Sequence, residues 1–243
     1  MTLRSSRLRA GTLAALLALL PVSSHDRTPR SHTSVASGGV VERPLSPRAA
    51  ERERVKAEVR RRLAERGSGT YIGEMLAERD SALARWPDLH GKPLKVWVQW
   101  AGTVQDWSGT YHDAVRDAVR EWDEVALPVR FAFTGDSARA DVHVTFVDHF
   151  DEPISGRTKW ARDDDWWITD GDIVLAVHHS GGAALDVDAM RAMALHELGH
   201  LLGLDHTEDP TSVMASKVRV RSLSAADLAT VRLLYTLPPG GVR

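Results

Sequence analysis

The chain has no cysteine in 243 residues. That excludes disulfides, a cysteine nucleophile and any latency held by a thiol, and it rules out a lipid-modified N-terminal cysteine. It does not by itself assign a compartment. A large excess of charge of one sign is missing too, since the formal net charge is −2. Nor does the apolar run Ala10 to Val22 reach a comfortable bilayer crossing: it covers 13 residues, where a helical span needs about 20. No internal repeat is present. What remains is the composition of a soluble globular chain, long enough for one good core and an accessory segment.

The first residues nevertheless carry an address. Arg4, Arg7 and Arg9 precede that apolar run, and Val22-Ser23-Ser24 offers small residues for cleavage. Residues 1–24 read as a secretory signal peptide, with an uncleaved anchor as the alternative, so the expected location is extracellular. The near-zero net charge also hides an asymmetry. Residues 1–70 hold 14 Lys and Arg against 6 Asp and Glu, and the remainder holds 17 against 27. A basic leader thus precedes an acidic body, which argues against nucleic acid as a partner of that body. The basic run Arg52 to Arg66 is interleaved with Glu53, Glu58 and Glu65, as in a solvated helix.

Residues 25–49 are rich in Ser, Pro, Gly, Thr and Arg without a hydrophobic period, the composition of a disordered linker. Residues 50–66 predict a charged helix ending at Gly67. Tyr71 to Trp86 predicts a second helical stretch containing Ile72, Met75, Leu76 and Leu83. Residues 25–92 are thus a linker followed by either a prosegment or a surface-packed extension. The folded body is expected over 93–238. Leu94, Val96, Val98 and Trp100 alternate with Lys95, Trp97 and Gln99, the period of a strand. Ala114, Val115, Ala118, Val119, Trp122 and Val125 then line one face of an amphipathic helix. Further strands are expected at Val129–Phe133, Asp141–Val147, Thr158–Ala161 and Asp172–Val177. A helix capped by Asp186 or Asp188 runs to Gly203, apolar on nearly all sides and therefore central. The last helix follows Ser224, with Asp227 completing an approximate capping box and Pro238 preventing continuation. The order is that of an α+β fold.

One stretch carries the chemistry. His196-Glu197-Leu198-Gly199-His200-Leu201-Leu202-Gly203-Leu204-Asp205-His206 fits H-E-x-x-H-x-x-G-x-x-H. Histidines at i and i+4 share a helix face, so both imidazoles can reach one metal. Glycine at 203 can take the left-handed conformation that ends a helix, which swings His206 back as a third ligand. Three protein ligands leave a fourth tetrahedral position open, the mark of a catalytic zinc site. Glu197 is placed to act as general base.

These residues resemble the metzincin clan of zinc endopeptidases and, within it, the matrixin family. Gly203-Leu204-Asp205-His206 has the matrixin form of the motif's end. Ser212-Val213-Met214, eight residues beyond His206, is similar to the clan's Met-turn, whose methionine forms an apolar floor under the metal. Leu223 to Leu228 followed by Leu234-Tyr235 resembles the family's closing helix. The resemblance implies a twisted, mostly parallel sheet with one antiparallel edge strand and three helices. It places a peptide substrate along that edge, at about Gly156–Ala161. It also implies a single catalytic Zn2+ on His196, His200 and His206, with Gly203, Asp205 and Met214 supporting the site.

Three departures from the family pattern stand out. No propeptide cysteine exists, so any latency would need another ligand such as Asp80, Asp88 or His90. Ser216 stands two residues after Met214, where some metzincins carry tyrosine. No good match to a second, structural zinc loop is found; His143, His149, His178 and His179 are candidates in number only. The run Asp163-Asp164-Asp165 is either a Ca2+ ligand set or a solvated loop. Trp166 and Trp167 either line a cleft or pack on the sheet. Lys217 and Arg219 lend basic character beside the metal.

The expected reaction is zinc-assisted hydrolysis of a peptide bond in a protein or peptide substrate, by a monomer with no stable membrane span. The rival readings are a secreted zinc-stabilised binding module without proteolytic activity and a hydrolase of a non-peptide bond.

Overall fold

The computed structural model describes residues 46–242 apart from Asp80, Ala101 and Thr103. The expected signal peptide and most of the linker lie outside the described residues. Ser46 caps helix α1 (Pro47–Arg66), its hydroxyl accepting the Ala49 N–H at 3.3 Å. Pro47 fills the first helical position, where its missing N–H leaves no bond unmade. The helix therefore starts before residue 50. Helix α2 (Ile72–Glu78) is shorter than the stretch expected up to Trp86. Ser81 takes a left-handed φ of 63°, and the chain re-forms as a short strand, β1 (Ala82–Leu83). Leu83 and Trp86 keep their place in the core, but from extended backbone.

Strand β2 (Leu94–Val98) alternates as its sequence dictates, with Leu94, Val96 and Val98 buried. Helix α3 (Gly109–Glu124) follows, its apolar face of Ala114, Val115, Ala118, Val119 and Trp122 turned inward. Strands β3 (Phe131–Phe133), β4 (Val142–Val147), β5 (Gly156–Arg162) and β6 (Ile168–Ala176) complete the main sheet. Strand β6 begins earlier than the apolar run at 172–177 suggests, because Ile168, Asp170 and Gly171 already pair with β5, the register shifting between Ala161 and Arg162.

The sheet order is β3-β2-β4-β6-β5. Strands β3, β2, β4 and β6 run parallel, and β5 is antiparallel to β6 at the edge. Helix α4 (Val187–Leu201) lies across the sheet between α3 and the β5–β6 pair. Asp186 is its cap, accepting the Ala189 N–H at 2.7 Å. Leu195, Leu198, Leu201 and Leu202 are all buried, so this helix is the centre of the core. Helix α5 (Ala225–Thr236) starts with the Ser224–Asp227 capping box. The chain then closes with β7 (Gly240–Gly241), antiparallel to β1.

The result is an α+β fold with a twisted, mostly parallel sheet and one antiparallel edge strand. Helices α3, α4 and α5 are the three expected of the body, and α1 and α2 precede it. No helix among the described residues is long and apolar enough to cross a membrane.

Candidate metal centre

The period of α4 sets His196 and His200 one turn apart on one face. Their Nε2 atoms lie 3.1 Å from each other, and His206 Nε2 lies 3.3 Å from His200 Nε2. The far side of two of the rings fixes their tautomers. His196 Nδ1 donates to Val213 O at 2.7 Å, and His200 Nδ1 donates to Leu204 O at 3.0 Å. A nitrogen facing a carbonyl must carry the proton, so both Nε2 atoms present lone pairs to one point. Lone pairs facing each other at this range repel unless a cation lies between them. Tetrahedral zinc with Zn–N bonds of about 2.0–2.1 Å would hold its nitrogens about 3.4 Å apart, close to the separations found. The residues present fit the ion.

Burial holds both helix imidazoles neutral, the form that binds metal. It lowers His196 to about 4 and His200 to about 3, against a partly compensating carbonyl contact in each case.

Gly203 brings the third histidine round. Its φ is +100°, and a Cβ there would overlap Ala84 O. The Leu204 N–H returns to Gly199 O at 3.0 Å, closing the helix before the chain turns. Asp205 does not face the metal point. Its carboxylate pairs with Arg79, whose Nη2 lies 2.8 Å from Oδ1 and whose Nε meets Oδ2. Met214 is fully buried, with its sulfur packed against Gly199 on α4. The same turn supplies Val213 O to His196. Asp227 anchors that turn, accepting Ser212 Oγ and the Val213 N–H at 3.1 Å.

Glu197 is buried at 3 % exposure with no cationic partner among the described residues. Thr158 Oγ1 on the edge strand lies 2.6 Å from its Oε2 and 2.9 Å from its backbone carbonyl. Burial pushes the carboxyl up to about 7, against the Thr158 hydrogen bond and the more distant Arg157, which both lower it. Gly156, also on β5, leaves the space that Glu197 Oε1 fills, since a Cβ at 156 would overlap it. Both groups open onto a cleft of ≈ 880 Å³ bordered by β5 and the three histidines.

Ser216, Lys217 and Val218 border that cleft, whereas Arg219 does not. Of the alternative latency ligands, Asp88 and His90 hydrogen-bond each other and lie outside the cleft lining. Asp80 falls outside the described residues.

Of the remaining candidates, His143 stands apart on β4 beside Asp172 at 3.3 Å. His149, His178 and His179 border one small cavity, where His149 and His178 both meet Asp148, and His179 lies 3.4 Å from Ser155 Oγ. Among the described residues only His196, His200 and His206 form a metal-holding group. Asp163 Oδ1 accepts the N–H groups of Asp165 and Trp167 within the β5–β6 turn. Trp166 and Trp167 stack under Arg162 and Arg85, and Trp160 rather than either of them borders the cleft.

Sequence reading missed several residues that shape the site. Thr158 and Gly156 set the position of Glu197. Arg79 reaches the third-ligand loop. Trp86 and Trp122 donate their indole N–H groups to Leu201 O and Leu195 O of α4, each at 2.9 Å. Only the tryptophans gave any local signal, as large apolar residues needing a partner for their N–H.

The matrixin family model matches residues 103–236. Metalloendoproteinase 1 of Glycine max is 26 % identical over 151 residues, 54 % of this chain and 47 % of its own length. Metalloendoproteinase 1-MMP of Arabidopsis thaliana is 31 % identical over 141 residues, 49 % of this chain and 36 % of its own. Matrix metalloproteinase-15 of Homo sapiens is 30 % identical over 165 residues, 54 % of this chain and 23 % of its own. The chain thus spans less than half the length of each of these relatives.

Proposed function

The chain belongs to the matrixin family, and from that premise we propose that it is a secreted zinc endopeptidase using Glu197 as general base. One observation carries this reading: three imidazole nitrogens converge on a point beside a buried, unpaired carboxylate, in a cleft bordered by an open sheet edge. A structural zinc site has no use for such a carboxylate. Burying Glu197 with a single hydroxyl as side-chain partner costs stability, a cost that goes with chemical use.

His196, His200 and His206 would hold Zn2+. When bound, zinc supplies Lewis acidity towards water and the scissile carbonyl. The rest falls to the chain. Strand β5 pairs with β6 on one side only, so its other backbone edge can take an extended peptide as an added strand. Gly156 and Thr158 face Glu197 from that strand, which sets the peptide and the base side by side. Thr158 occupies Oε2, leaving Oε1 to take a proton from the attacking water and give it to the leaving amine. A carboxyl poised near 7 suits both halves of that transfer. Secretion rests on Arg4, Arg7, Arg9 and the apolar run to Val22.

The test is peptide-library and casein cleavage by the purified chain. Cleavage should disappear on chelation and return with zinc. Glu197→Gln should keep the metal and lose nearly all turnover. Full turnover in that variant would remove the general base from the reading, and no cleavage of any peptide by zinc-loaded protein would remove the endopeptidase.

A further inference from the structure

The family match begins at residue 103, yet the site is braced by residues well before it. Tyr71, Ile72, Met75, Leu83, Ala84 and Trp86 lie in the same apolar core as α4. From this segment a series of polar contacts runs along the chain that carries the third ligand. Trp86 Nε1 donates to Leu201 O at 2.9 Å. Arg79 Nη1 donates to Gly203 O at 2.9 Å, and Nη2 to Leu204 O at 3.2 Å and Asp205 Oδ1 at 2.8 Å. Glu74 Oε2 accepts the Glu208 N–H at 2.9 Å. The Arg79 guanidinium also lies 5.3 Å over the Trp160 ring on the edge strand.

His206 needs such bracing more than its partners do. His196 and His200 ride on a helix, and each has a carbonyl behind Nδ1. His206 sits on a loop and is the most exposed of the three, and among the described residues its Nδ1 has no hydrogen-bond partner. Its ring touches the His196 and His200 rings, but with no hydrogen bond behind Nδ1 its place depends on its backbone. Leu204 O, two residues earlier, receives both Arg79 Nη2 and His200 Nδ1. One guanidinium thus sets the loop and touches the acceptor that orients the second ligand.

We propose that residues 71–86 are a permanent clamp on the third-ligand loop rather than a removable prosegment, with Arg79 as the positioning residue that holds His206 in register for the metal. Any proteolytic maturation then ends on the N-terminal side of Tyr71. The inference rests on the zinc reading above, and the experiment separates the two.

Zinc affinity of the full chain is measured by competition with a chromophoric chelator, for the native protein, Arg79→Met and Arg79→Lys. Removing a group that orients metal ligands weakens binding by about 10- to 100-fold, which is the loss expected for Arg79→Met. Arg79→Lys keeps the charge but not the planar fork, so it should recover only part of that loss. The visible spectrum of the cobalt-substituted Arg79→Met protein should shift, because the ligand geometry changes. If Arg79→Met does not fold, the Lys variant decides, and it must still bind zinc more weakly than the native chain. Native-like affinity in the folded variants overturns the clamp and leaves the metal site standing. A native chain that binds no zinc overturns both. Mass spectrometry of the secreted, active product supplies a second check: an active species beginning beyond Tyr71 overturns the clamp.

Discussion

Thr158 Oγ1 lies within hydrogen-bond distance of both the carboxylate and the backbone carbonyl of Glu197, 2.6 Å from Oε2 and 2.9 Å from O. One hydroxyl carries one proton, so the two acceptors are served in turn. While Glu197 is ionised the proton belongs on Oε2. Once Glu197 has gained a proton on Oε1, its Oε2 is a weaker acceptor and the hydroxyl can turn to the carbonyl. Thr158→Val keeps the shape and loses this exchange. Its kcat should fall by about 10-fold, the rate equivalent of one hydrogen bond to a charged group. KM and zinc content should not move, and Thr158→Ser should restore the rate. An unchanged kcat in the Val variant would show that Glu197 needs no such partner.

Gly156 offers a complementary test on the same strand. A methyl group there overlaps Glu197 Oε1, Cγ and Cδ, so Gly156→Ala must displace either the carboxylate or the edge strand. Overpacking of this kind costs about 1–3 kcal/mol. Turnover should drop more than stability does, with zinc still bound, as read by steady-state kinetics beside thermal denaturation. A variant with native kcat would mean that Glu197 works equally well in another rotamer.

The metal ligands were legible because one helix turn and one glycine decide where they go, and both are local. A strand is expected from Thr158 to Ala161, but its place at the sheet edge, about Gly156–Ala161, comes from the family resemblance and not from periodicity, since burial along β5 does not alternate. Thr158 and Arg79 were not legible as site residues. Thr158 meets Glu197 across 39 positions of sequence, and Arg79 meets Gly203 across 124, distances over which no periodicity carries information. The second helix was read too long for a related reason. Leu83 and Trp86 continue an apolar pattern, but they serve the core from extended backbone beyond the left-handed Ser81. The start of the first helix, by contrast, was available locally in the pair Ser46-Pro47.

Asp227 ties the closing helix to the turn beneath the metal. Fully buried, it accepts the N–H groups of Val213 at 3.1 Å and Ser224 at 2.8 Å on Oδ2, and the Tyr71 hydroxyl at 3.2 Å on Oδ1. Asp227→Asn must present an amide N–H₂ where donors already converge. A loss of about 1–3 kcal/mol is expected from the unsatisfied groups, visible in urea unfolding of the metal-free protein. Zinc affinity should weaken as well, because Val213 O orients His196. Loss of stability with native zinc affinity would uncouple the turn from the metal site.

His178 provides a pH-dependent brace among the loops that follow the parallel strands. Its Nε2 lies 3.0 Å from Asp106 Oδ2, and its Nδ1 lies 2.8 Å from Asp148 Oδ1. These contacts join the loops that follow β2, β4 and β6. The hydrogen bond to Asp106 is the leading cause that raises the imidazole above its usual value, with Asp148 adding to it and desolvation opposing it. Asp148 is lowered in turn, first by His149 and then by His178. A group raised in the folded state stabilises fully below its unfolded value of about 6.5, and that contribution fades as pH rises through the folded value. The effect of His178→Gln on the melting temperature should therefore be larger at about pH 5.5 than at about pH 8.5. Equal destabilisation at both values would mean that the ring acts through packing and neutral hydrogen bonds. A larger effect at the alkaline end would contradict the raised imidazole outright.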